Sequence, residues 1–231
     1  MKTIGLIGGM SWESTVPYYR TINRVIGERL GGLHSAKIAL YSVDFHEIEQ
    51  LQHASRWAES GHILADAARA VRRAGADVLV LCTNTMHKVA AQVEAAVDIP
   101  LLHIADATAE RVKAAGLTRI GLLGTRFTME EDFYRGRLES RHGLSVVTPP
   151  ADQRALVHGV IYDELCLGNV RDKSRRAFQQ VVHDLVAREV QGVILGCTEI
   201  GLLLRPEDAS VPLFDTATIH AEAAALYALE E

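Results

Sequence analysis

Short, wholly apolar runs alternate along this chain with longer stretches whose apolar residues recur at helical spacing. Residues 2–6 form the first such run, closing on Gly8-Gly9 in the pattern of a buried strand and its tight following loop. Ser14 or Thr15 can cap the next helix, with Pro17 in its first turn and its end near Leu30. Residues 37–43 predict a second strand, followed by a short polar helix and a longer one over about 55–73. Residues 77–81 are continuously apolar, and Thr83-Asn84-Thr85 offers capping side chains for a helix starting near Met86. Residues 100–104 close the first half. The second half repeats the theme: strand 119–123, a helix from about Thr128, strand 144–147, two helices up to Glu189, strand 192–195, a short strand 212–214 and a terminal helix. Strands alternating with helices predict α/β architecture, with parallel sheets covered on both faces.

The two halves also match residue by residue. Ile4-Gly5-Leu6-Ile7-Gly8 recurs as Ile120-Gly121-Leu122-Leu123-Gly124, Leu79-Val80-Leu81-Cys82-Thr83-Asn84 lines up with Val193-Ile194-Leu195-Gly196-Cys197-Thr198, and Pro100-Leu101-Leu102 with Pro212-Leu213-Phe214. The offset stays near 116, 114 and 112 residues. One α/β unit has been duplicated, which predicts a subdomain of residues 1–104 plus 210–231 and a second of 105–209. Thr83 and Cys197 then occupy equivalent ends of equivalent strands. Packed about a pseudo-twofold axis, the two side chains would face each other across a cleft. Such a cleft suits chemistry that needs a proton donor on one side of a substrate and an acceptor on the other.

Composition narrows the partners. A hydrophobic fraction of 48% in 231 residues is ample for two buried sheets, and a net charge of -5 without a Lys/Arg run argues against nucleic acid. No stretch reaches the ~18 apolar residues of a membrane span, and residues 4–10 are too short and glycine-broken for a signal-peptide core. Three cysteines in separate elements are not a disulfide framework, which points to a reduced, cytoplasmic setting. The ten histidines show no spacing of two histidines and a carboxylate for a metal. Neither dinucleotide nor P-loop glycine patterns occur, so no nucleotide cofactor is expected.

In open parallel sheets, ligands gather outside the carboxyl ends of the strands. Those ends carry Gly8-Gly9-Met10-Ser11, Thr83-Asn84-Thr85, Gly124-Thr125 and Cys197-Thr198-Glu199. The last three each open into a predicted helix, whose N–H groups suit an anion such as a substrate carboxylate. Cys197 is the foremost candidate, because a helix N-terminus would favour its thiolate; the plain alternative is a thiol filling a strand end. Strand alternation places Cys82 opposite in sense to Thr83, so Cys82 is read as core, as is Cys166 within a helical stretch. His87 is expected as a surface or interface residue; His103 with Asp106, and Asp215 with His220, could orient groups near the sites, with a structural role the favoured reading for each.

The segments from Leu81 to His87 and from Ile194 to Ile200, with the Gly8-Gly9-Met10-Ser11-Trp12 opening, resemble the signatures of the aspartate/glutamate racemase family. The likeness spans nearly the whole chain and is closest to the aspartate-racemase-like branch that includes broad-specificity enzymes. It implies two Rossmann-like subdomains, a small amino-acid substrate, no pyridoxal phosphate and a homodimer. It also implies proton transfer at Cα between Cys197 and the Thr83 side, with L to D the direction of higher kcat. Asn84, Thr85, Thr125 and Thr198 would hold the α-carboxylate, while Met10, Gln52 and Glu199 would complete the substrate site. The family's first cysteine directly precedes the Asn; here that place is Thr83. Acid-specific members carry a basic residue after the second strand, whereas residues 44–52 are acidic to neutral, leaving an acidic or a broader set of substrates. The alternatives are a related cofactor-free isomerase or decarboxylase on the same scaffold, and a non-catalytic amino-acid-binding protein.

Overall fold

The computed structural model describes residues 1–230 as two units, residues 1–103 joined by the chain from 220 onward, and residues 104–219. The first unit holds β1 (Ile4–Gly8), β2 (Ile38–Ser42), β3 (Val78–Leu81) and β4 (Leu101–Leu102), all parallel in the order β2-β1-β3-β4. The second holds β5 (Arg119–Gly124), β6 (Ser145–Val147), β7 (Gly192–Gly196) and β8 (Leu213–Asp215), parallel in the order β6-β5-β7-β8. The two sheets therefore share one topology.

Register makes the equivalence exact to the residue. Ile7 pairs with Leu81 as Leu123 pairs with Leu195. One step further, the Cys82 N–H donates to the Ile7 carbonyl at 2.9 Å, so Cys82 stands where Gly196 stands opposite Gly124. Thr83 and Cys197 come next along the chain, just past the strand ends. The α/β fold with two parallel-sheet subdomains expected from the sequence is present. The boundaries differ: residue 104 and residues 210–219 belong to the second unit, the latter because β8 hydrogen-bonds β7 from Val193↔Leu213 to Leu195↔Asp215.

Helices cover both sheets. The first unit carries α1 (Trp12–Leu30), α2 (Phe45–His53), α3 (Trp57–Arg73) and α4 (Ala90–Glu94); the second carries α5 (Ile104–Ala114), α6 (Arg126–Glu130), α7 (Arg135–His142), α8 (Ala151–Asp163), α9 (Asp172–Val186) and α10 (Ile200–Leu203). The terminal helix α11 (Thr216–Leu229) starts in the second unit and finishes in the first. Helix α1 begins at Trp12 with Ser11 as its N-cap, ahead of the expected Ser14 or Thr15. The reason is local: both hydroxyls donate back to the Ser11 carbonyl, and Thr15 Oγ1 also accepts the Gly9 N–H at 2.9 Å. Thr15 thus ties the β1 loop to the helix. None of the helices among the described residues is long and apolar enough to cross a membrane.

Each core is built where a sheet meets its helices. Ile7, Leu79 and Leu81 pack with Val71 of α3 in one unit, and Leu123, Val193 and Leu195 with Phe178 of α9 in the other. Each such side chain contributes about 1.5–3 kcal/mol by leaving water. The edge strand β2 is less covered. Leu40 and Tyr41 are exposed, and Trp12, Val16 and Tyr19 of α1 join Leu40 around a hollow of about 290 Å³.

The glycines at the strand ends are required by close approach. A Cβ on Gly124 would lie 2.7 Å from the Gly196 carbonyl oxygen and 3.1 Å from Thr128 Cβ. Gly124→Ala is expected to cost about 1–3 kcal/mol, as overpacking does. Gly159, inside α8, would meet nothing nearer than Asp163 at 3.7 Å, so Gly159→Ala is expected to stabilise by about 0.5–1 kcal/mol. Urea unfolding of the two variants checks the pair. Equal destabilisation would show that backbone spacing at 124 is not the constraint.

Candidate active site

Every sequence-predicted site residue is buried and comes from a strand end or the element beside it. In the first unit, Met10 follows β1, and Thr83, Asn84 and Thr85 follow the adjacent β3. Gln52 reaches in from α2, its amide donating to Met86 Sδ at 3.0 Å. In the second unit, Thr125 follows β5 at Gly124, and Cys197, Thr198 and Glu199 follow β7 at Gly196, which pairs with Gly124. Thr125 caps α6, its Oγ1 accepting the Thr128 N–H at 3.3 Å. Each unit thus gathers one half of the predicted set at the carboxyl edge of its two central strands.

The electrostatics of Cys197 differ from the sequence expectation. The helix after it, α10, has only four residues, too few to sum into a macrodipole. Instead, Cys197 Sγ donates to Glu199 Oε2 at 3.0 Å, and Thr198 Oγ1 donates to the same oxygen at 2.8 Å. Burial, then the Glu199 carboxylate, then Cys166 push the thiol well above its ordinary range; the Glu199 backbone N–H, which bonds the sulfur, pulls the other way. Cys197 therefore rests as a thiol, not as the ready thiolate expected. Cys166, read as core, does pack against that core, yet it also lies within electrostatic reach of Cys197 and Glu199. Cys82 is fully buried, and desolvation raises its thiol in turn, in keeping with a core role.

Thr83 is held by its backbone. Its N–H donates to the Leu81 carbonyl at 2.8 Å, and its own carbonyl accepts from His87 Nδ1 at 2.7 Å. A carbonyl can only accept, so His87 carries its proton on Nδ1. His87 is buried rather than at the surface, with its ring 4.4 Å from that of His103 and 6.0 Å from that of His220. His220 in turn donates from Nε2 to the Leu102 carbonyl at 2.9 Å, leaving Nδ1 to accept from Tyr18 Oη at 3.0 Å. Three imidazoles thus back the Thr83 loop. Nothing in local spacing announces this cluster, because residues 87, 103 and 220 meet only through tertiary folding.

Burial lowers the His220 pKa to about 4. Above the unfolded pKa near 6.5 both states are neutral there, and the term vanishes. As pH falls from 6.5 toward 4, the unfolded chain binds a proton that the folded one refuses, so stability is lost. The loss is expected to be about 2 kcal/mol at pH 5 and roughly 3 below pH 4. Urea midpoints at pH 7.5 and 5 should converge less in wild type than in His220→Gln. Equal pH slopes in the two proteins would remove His220 as the cause.

Among the described residues there is no cluster of three or more potential metal ligands. What the geometry offers is two duplicated, desolvated loops rich in hydroxyl and amide donors, one of which carries a thiol. The duplicated α/β scaffold places one such loop at the strand ends of each unit. Residues 7–224 match the family described as Asp/Glu/Hydantoin racemase. A Yersinia pestis protein provisionally assigned as an Asp/Glu racemase is 60% identical over the full length of both chains, with a TM-score of 0.92. An aspartate racemase homologue from Pyrococcus horikoshii is 35% identical, again over the full length of both, with a TM-score of 0.85. The broad specificity amino-acid racemase RacX of Bacillus subtilis is 22% identical over 93% of this chain and 92% of its own. The chain belongs to the Asp/Glu/hydantoin racemase family. It is an isomerase of the amino-acid racemase class.

Proposed function

We propose that the protein interconverts the L- and D-forms of an amino acid by 1,1-proton transfer, with Cys197 acting at one face of Cα and Thr83 at the other. The observation that carries this reading is the register equivalence of Thr83 and Cys197: Thr83 stands two residues past Leu81, which pairs with Ile7, and Cys197 two past Leu195, which pairs with Leu123. Racemisation removes a proton from one face and returns one to the other, so it needs two such positions. Asn84, Thr85, Thr125 and Thr198 are assigned to the α-carboxylate. Donors held there, from Thr198 its backbone N–H because its hydroxyl is given to Glu199, would stabilise the carbanionic transition state by about 2–4 kcal/mol each. Met10 and Gln52 are assigned to the rest of the substrate, and Glu199 to the border of the site beside Cys197. The substrate is an acidic amino acid or a broader set: family membership favours the first, the acidic-to-neutral segment 44–52 the second. The reaction draws on side chains alone, without pyridoxal phosphate or metal.

A panel of L-amino acids in deuterated water, followed by proton NMR and chiral chromatography, tests the proposal. Loss of the α-proton signal with appearance of the D-enantiomer supports it. Carbon dioxide release from malonates would favour the decarboxylase reading, and calorimetric binding without exchange the sensor reading. A cytoplasmic homodimer completes the proposal. The exposed Trp12, Tyr19 and Leu40 offer one apolar surface for such an interface, and light scattering decides the stoichiometry.

A further inference from the structure

We infer that Glu199 is a positioning residue that stores the Cys197 proton, taking it from the sulfur when the thiol becomes the base. The inference deepens the racemase reading and rests on it for its catalytic meaning. Its geometric basis is independent: Sγ lies 3.0 Å from Oε2, the Thr198 hydroxyl is 2.8 Å from the same oxygen, and Glu199 is only 1% exposed. A buried carboxylate that receives an S–H and an O–H on one oxygen has its orientation fixed by both. That oxygen is committed to the thiol rather than open to a substrate.

Charge explains why the thiol needs this partner. A thiolate formed beside an ionised carboxylate, with little water to screen them, would place two like charges about 3 Å apart. Passing the proton across the existing hydrogen bond avoids that. The S–H bond breaks, an O–H bond forms on Oε2, and the pair keeps a single negative charge throughout. The Glu199 backbone N–H, already bonded to sulfur, then stabilises the thiolate. The thiolate takes the α-proton, forming S–H again and leaving the C–H electron pair on the substrate. The pair is now neutral and holds one proton more than at rest, which it returns to solvent as product leaves. The group at the opposite face, having given its proton to Cα, is reprotonated from solvent. Cys166, from the turn Leu165–Leu167, is the other titratable group coupled to this pair, and burial followed by the Glu199 carboxylate raises its thiol in turn.

Two measurements on the full-length protein, in wild type, Glu199→Gln and Glu199→Asp, test the inference. The first is the pH dependence of iodoacetamide alkylation, read by mass spectrometry on the peptide containing Cys197. Removing the carboxylate charge should lower the midpoint by a pH unit or more, so that the thiolate fraction at neutral pH rises about tenfold. The second is steady-state racemisation. Glu199→Gln should lower kcat about a hundredfold with KM little changed, the size of a lost proton-transfer partner. Its kcat should also climb with pH as solvent takes over the deprotonation. Glu199→Asp, a carboxylate on a shorter stem, should recover part of kcat. An unchanged alkylation midpoint in Glu199→Gln overturns the proton coupling. A raised KM with unchanged kcat overturns it in favour of a substrate ligand. If no amino acid is racemised by the wild type, the functional reading fails, while the alkylation midpoint still decides whether the two residues share a proton.

Discussion

Cys197→Ala is expected to abolish racemisation, lowering kcat by about 10²–10⁴-fold or more while the fold survives. In the proposed reaction the thiol is the only group able to become a strong base at its face of Cα. Alanine leaves no atom to hold a proton there, and the Thr198 hydroxyl, bonded to Glu199, is far too weak an acid to replace it. The structural cost is small, because alanine keeps Cβ in the cluster with Leu123, Phe178 and Leu195, and the Thr198 hydroxyl still donates to the Glu199 carboxylate. Circular dichroism and the urea midpoint should therefore stay close to wild type. Deuterium incorporation at Cα, followed by NMR, is the sensitive readout. Wild-type exchange in this variant would take Cys197 out of the mechanism.

Thr83→Cys is expected to raise kcat for the D-substrate most, by about tenfold or more. A threonine hydroxyl cannot rest as an alkoxide at neutral pH, so Thr83 can donate or relay a proton far more readily than it can abstract one. Cys197, with Glu199 to take its proton, can abstract. If the second-half cysteine faces the L-enantiomer's α-hydrogen, as the family resemblance implies, L to D is the direction of higher kcat. The equilibrium constant between enantiomers is unity in an achiral solvent, so kcat/KM must be equal in both directions. The asymmetry is confined to kcat and KM taken separately. The exchange is nearly isosteric, and the backbone at 83 is fixed by the Leu81 carbonyl and His87, so the new thiol occupies the same place. Equal kcat for both enantiomers in wild type, together with no effect of the substitution, would show that Thr83 is not the opposing group.

Much of this was legible in the sequence, and for a definite reason. Parallel strands buried on both faces read as unbroken apolar runs, and duplication writes the same run twice, so the pairing of Thr83 with Cys197 could be taken from the offset alone. The same alternation assigned Cys82 to the core, and the structure seats it there. Side-chain partnerships were less visible. That Glu199 turns back onto Cys197 depends on the loop's path after β7, and a four-residue helix could not be told from a longer one. The strand Leu213–Asp215 is too short to reveal its sheet, so the boundary was set ten residues early. The His87, His103 and His220 cluster joins distant parts of the chain, and no periodicity records it.

The route of the chain through its two units also governs how it is made. Residues 104–219 are continuous, so everything the second sheet needs has emerged from the ribosome before the last helix is complete. The first sheet emerges earlier but waits longer. Its final packing needs α11, where His220 bonds both Tyr18 and the Leu102 carbonyl and Ala221, Ala224 and Ala225 lie fully buried. Translation that stops after residue 219, at the first turn of α11, would therefore yield a polypeptide whose Cys197-bearing half is whole and whose Thr83-bearing half is open, with apolar surface offered to chaperones and proteases. The half synthesised first is the last to be sealed.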